Sequence, residues 1–170
     1  AVVFRYCLVL LLTVGAAGMD LRTQKISNIW LCCGWLSGLG HQFLTDQIRG
    51  LGSFAAGSFL PAALLWILFL FRMIGAGDIK LLSVLGGIMG VPDILICMIW
   101  SVIFGAVLSA AILIICGDLS RRLTYFTNYF KLYFRTGKRI PYRREGSRPE
   151  HIHFSVPVLM GVLLWIGGFY

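Results

Sequence analysis

The sequence predicts an all-α, polytopic membrane protein with about six transmembrane helices. Three observations carry this reading. Of 170 residues, 58% are hydrophobic and 13% charged, and the mean hydropathy is +0.84, outside the range of a soluble domain. The apolar residues fall into runs separated by short polar interruptions. A helix crossing the hydrocarbon needs about 20 residues at roughly 1.5 Å each, so the length allows about six crossings and little more. Residues 1–170 therefore read as a single transmembrane domain.

The six runs are 2–18, 28–45, 51–71, 79–91, 93–117 and 154–170. The first is followed by Asp20-Leu21-Arg22, where a cleaved signal peptide would show small residues, so it reads as a retained span. The sequence begins without methionine, and the natural chain is expected to begin a few residues earlier. The fourth run would reach only about 20 Å, and is expected to tilt or to be extended by the glycine-rich stretch before it. Gly34, Gly38, Gly40, Gly86, Gly87 and Gly90 read as sites of close helix packing, since small residues let backbones approach where lipid gives no hydrophobic drive. Cys7, Cys32, Cys33, Cys97 and Cys116 all lie in apolar runs without a C-x-x-C pair, which points to small packing residues and to neither a disulfide framework nor a metal site.

Between the fifth and sixth runs lies the extended polar segment 118–153. Leu119, Leu123, Phe126, Phe130 and Tyr133 recur at spacings of three and four, with Arg121, Arg122, Lys131 and Arg135 between them. This pattern predicts a basic loop containing an interfacial helix, its aromatic side in the headgroup region and its cations near anionic lipid. Membrane attachment accounts for the interleaved bases and aromatics, so nucleic acid is not an expected partner. The stretch 137–148, rich in Arg, Gly and Pro, reads as a loop.

The basic residues set the orientation. All Lys and Arg except Arg5 and Arg49 fall in the loops after the first, third and fifth runs, and cytoplasmic loops carry such an excess. These three loops are therefore expected in the cytoplasm and both termini outside. Asp20 and Asp78 follow the first and third runs and land on the same, cytoplasmic, face. Acids on opposite faces would be about 30 Å apart and unable to share a water molecule. Asp46 and Asp93 fall on the external side and Asp118, Glu145 and Glu150 in or beside the basic loop, all reading as solvated loop charges.

A carboxylate at a membrane boundary is unfavourable and usually functional. Two that meet suit peptide hydrolysis, in which an ionised carboxylate takes a proton from water and a protonated one polarises the scissile carbonyl. Like charges a few ångströms apart cannot both ionise, so the pair reaches this state unaided and titrates jointly. Asp78 begins a helix, where the macrodipole favours negative charge, and Asp20 ends one. On this ground Asp78 is expected to be the ionised base and Asp20 the protonated acid. Gly75 and Gly77 are expected to supply a backbone geometry closed to other residues and room for a substrate backbone beside Asp78. Lys80 is either part of the motif or a simple ion-pair partner for Asp78. No cofactor and no metal are implied.

The segments Asp20-Leu21-Arg22-Thr23-Gln24-Lys25-Ile26-Ser27-Asn28 and Gly75-Ala76-Gly77-Asp78-Ile79-Lys80-Leu81 resemble the two aspartate motifs of type IV prepilin peptidases, which share G-x-G-D with presenilin-type intramembrane proteases. The family's first motif usually ends Ile-Pro-Asn, and Ser27 stands here in place of the proline. The resemblance implies a peptidase of the bacterial inner membrane with Asp20 and Asp78 as the catalytic pair at the cytoplasmic face. It would remove the short basic leader of a prepilin-like protein, cutting after a glycine. Longer members carry a Cys-rich zinc insert in the first loop and methylate the new N-terminus. Residues 19–27 contain no cysteine, so methyl transfer is not expected and the chain is similar to a short, peptidase-only form. The competing readings are another G-x-G-D protease, acting on preflagellins or signal peptides, and a non-enzymatic transporter or assembly subunit using the acids as proton or ion-pair sites.

Overall fold

In the computed structural model, residues 2–70, 74–115, 124 and 153–169 are described. The elements are α1 (Val2–Thr23), α2 (Asn28–Leu70), α3 (Ala76–Met89), α4 (Val91–Ile115) and α5 (Ser155–Ile166). No strand occurs among the described residues. Among the described residues, three helices are long and apolar enough to cross a membrane: Val2–Thr23, Asn28–Leu70 and Val91–Ile112. The protein is a helical membrane protein. The chain divides into one compact unit of residues 1–105 and 153–170 and a second of residues 106–152. The expected interfacial helix and basic loop, with Cys116, Asp118, Glu145 and Glu150, lie outside the described residues.

α2 holds the predicted second and third runs in one element of 43 residues, but its backbone breaks at Gln47, with φ 51° and ψ −127°. The break falls in Thr45-Asp46-Gln47-Ile48-Arg49, the polar gap between the two runs. Its two arms fold against each other: the rings of Trp35 and Phe54 meet edge to face with centroids 5.4 Å apart.

The short fourth run becomes α3, the centre of the first unit. Leu81, Leu82, Val84, Leu85, Ile88 and Met89 are all buried, as expected of a helix that is apolar all round and enclosed by others. α3 packs most extensively on α2, through glycine. A Cβ on Gly57 would lie 2.1 Å from the Gly86 carbonyl oxygen, and one on Gly86 would lie 2.2 Å from that of Gly57. Pro61 contributes to this approach: lacking an N–H, it cannot bond the Gly57 carbonyl four residues earlier. Gly34, Gly38 and Gly87 also meet close neighbours, whereas Gly40 has nothing within 4 Å. Gly90 acts differently from the packing role expected of it, ending α3 with φ 86°.

α1 and α3 run antiparallel, and the two ends of this pair differ in chemistry. At one end Arg5 donates to Asp93 Oδ2 at 2.7 Å and to the Met89 carbonyl, and its guanidinium lies 5.0 Å from the centre of the Trp165 ring. Asp93 is thus an ion-pair partner and not the free loop charge expected. Tyr6 meets Trp165 edge to face, so α1, α4 and α5 are joined there. The cysteines also depart from expectation: Cys97 is buried in the core, but Cys7, Cys32 and Cys33 are exposed and pack little.

Candidate active site

The other end of the α1–α3 pair carries both acids. Asp20 lies in the last turn of α1, which Gln24 closes with φ 54° while its N–H donates to the Asp20 carbonyl at 2.8 Å. Trp30 fixes the following turn by donating from Nε1 to the Leu12 carbonyl at 3.2 Å, its ring lying over Gly15. Asp78 stands in the first turn of α3, with Gly75 as N-cap. The Gly75 backbone N–H donates to the Asp78 carboxylate, the reach-back half of a capping box.

Asp20 and Asp78 line one open pocket of about 320 Å³. Gln24, Lys25, Ile26 and Asn28 complete one wall, and Gly75, Ala76, Gly77 and Lys80 the other. The two motifs touch directly, since Lys80 Nζ donates to Asn28 Oδ1 at 3.0 Å. Lys80 therefore ties the walls together through Asn28. Gly75 has φ −73° and ψ 146°, a conformation any residue adopts, and Gly77 has no positive φ. The expectation of a glycine-only backbone fails at both. At Gly75 the contribution is space, since a Cβ there would come within 3.2 Å of Asp78 Oδ2, whereas one on Gly77 would meet Ile26 at an ordinary 3.6 Å.

Burial, and secondarily the Asp20 charge, raises Asp78 to about 6, against smaller opposing effects of the Gly75 N–H and His153. Asp78 lies at the polar start of α3, outside the three long spans. Desolvation thus works against the negative charge that the helix dipole, worth about 1 kcal/mol or less, would favour on Asp78.

Two further residues join the acids. Ser155 Oγ donates to Asp20 Oδ2 at 2.6 Å, and His153 Nδ1 lies 3.2 Å from the same oxygen. Sequence reasoning singled out neither, with His153 at the end of the polar segment 118–153 and Ser155 inside the last apolar run, 154–170. The available signal was two polar side chains, two positions apart, at the mouth of that run. Among the described residues, no group of three or more His, Cys, Asp or Glu is arranged to hold a metal ion.

Neither the curated proteins nor the solved structures yield a match. A sequence model described as the type IV leader peptidase family matches residues 6–110, a stretch that contains Asp20 and Asp78 and ends before His153 and Ser155. With more than half of its length matched, the chain belongs to the type IV leader peptidase family.

Proposed function

We propose that this protein is an aspartic endopeptidase of the bacterial inner membrane that removes the short basic leader from prepilin-like proteins, cutting after a glycine at the cytoplasmic boundary. The observation that carries the reading is the shared pocket: two acids from different helices line it, and one is raised to about 6. In the reaction, ionised Asp20 takes a proton from water as the water oxygen adds to the scissile carbonyl carbon. Asp78 gives its proton to the carbonyl oxygen. Collapse of the tetrahedral intermediate breaks the C–N bond, the leaving amine takes a proton from Asp20, and Asp78 recovers its own.

Counting the arms of α2 separately, the six apolar runs act as crossings, with α3 enclosed by the others. The pocket end carries Arg22, Lys25 and Lys80, which supports a cytoplasmic site. The absence of cysteine from residues 19–27 supports proteolysis without methyl transfer. The basic segment 118–153 contacts anionic lipid in this reading.

Co-expression with a prepilin-like protein tests the proposal, with leader loss followed by mass. Wild type is expected to process it and Asp20→Ala and Asp78→Ala are not. Processing that survives both substitutions would overturn the reading.

A further inference from the structure

Ser155 is placed where a helix-capping serine would not be. The N-cap of α5 is Phe154, which makes no side-chain cap, and Ser155 follows it as the first helical residue. A serine at a helix start ordinarily turns its oxygen to the backbone N–H groups of its own first turn. Ser155 is fully buried, and its hydroxyl instead crosses to Asp20, 135 positions away in the chain. The 2.6 Å separation falls in the range of a hydroxyl bound to an ionised carboxylate.

The helix that presents Ser155 is held firmly. Val158, Val162 and Trp165 are buried, and Gly161 sits so close to α4 that a Cβ there would lie 3.0 Å from the Cys97 carbonyl oxygen. Packing therefore fixes where the hydroxyl points. Among the described residues, the charged and titratable groups facing Asp20 are Asp78 and Lys80 from α3, Lys25 from the turn after α1, and His153 before α5.

Resting on the reading of Asp20 and Asp78 as the catalytic pair, we propose that Ser155 is a positioning residue which, with His153 as charge partner, holds Asp20 as the proton-accepting member of that pair. Ser155 donates to Asp20 Oδ2, and such a donor stabilises an ionised carboxylate more than a protonated carboxyl, which biases the proton shared by the pair towards Asp78. Loss of the hydroxyl lets that proton distribute over both acids and frees the Asp20 side chain to turn.

The test uses the purified full chain in lipid vesicles and a peptide with a basic leader, a glycine and an apolar segment. Ser155→Ala is expected to lower kcat about tenfold or more, with KM little changed, and to move the pH–rate profile. His153→Gln, at a part-exposed side chain, is expected to move the same profile and serves where S155A does not fold. A purely structural serine would lower thermal stability and leave the profile of the folded fraction in place, which would overturn the proposal. A thermal cycle gives a readout independent of substrate: S155A is expected to lower the Tm of wild type but not of Asp20→Ala, and equal losses in both would also overturn it. If Asp78→Asn cleaves like wild type, the paired-acid reading fails, and the thermal cycle still decides whether Ser155 and Asp20 are coupled.

Discussion

Asp78 shows how one side chain links stability to chemistry. Its ordinary value is 3.8 and in the fold it is raised to about 6, so between these values the folded chain binds more protons than the unfolded one. Stability attributable to this group is therefore present at low pH and is lost as pH rises from about 4 to about 6. Asp78→Asn is expected to be more stable than wild type at pH 7, by on the order of 2 kcal/mol, with the difference fading towards pH 4 in thermal unfolding. The same group sets the activity profile. For the free enzyme, kcat/KM is expected to fall as pH rises through about 6, as the proton held by the pair is lost. Asp20→Asn and Asp78→Asn are each expected to lower kcat by about a thousandfold in the leader-peptide assay, with the double variant little worse than either. Additive losses would mean that the acids act separately.

Among the elements, α2 and α3 depend on an approach that no side chain tolerates. Gly57→Ala and Gly86→Ala would each drive a methyl group into a backbone carbonyl, which cannot move away as a side-chain tip would. Each is expected to destabilise by about 3 kcal/mol or more, read as a loss of folded protein in detergent, while Gly40→Ala is expected to be neutral because its surroundings are open. At the break in α2, Gln47 holds a positive φ that glycine adopts without strain, so Gln47→Gly is expected to raise stability by about 1 kcal/mol. Much of this level was legible in advance. Polar residues 45–49 marked the bend between two apolar runs, and the acids at 20 and 78 stood out because charges are rare in such a chain. Partners were not legible, because hydropathy reports only how apolar a run is and not which neighbours surround it. Hence α3 gave no sign of being the centre, Asp93 none of its bond to Arg5, and Ser155 none of its reach to Asp20. At Gly75 two roles were expected, conformation and room beside Asp78, and only the conformational one fails, because spacing in a motif does not report φ.

Taken whole, the molecule is polarised along α1 and α3, with the acid pocket at one end and the Arg5–Asp93 pair at the other. The two ends are separated by roughly 20 Å of helix, shorter than the hydrocarbon thickness of about 30 Å. Labelling of single introduced cysteines, with the native ones replaced, tests which end faces the cytoplasm. Arg49→Cys is expected to react with an impermeant maleimide on intact spheroplasts and Lys25→Cys only after permeabilisation, and the reverse pattern would invert the orientation. The contact between Asp20 and Ser155 has a temporal side as well. The acids at 20 and 78 are synthesised early, but the hydroxyl that completes the surroundings of Asp20 arrives only with α5. A partly translated chain thus holds both acids without their final arrangement, and in the proposed reading the docking of α5 is the step that completes the site.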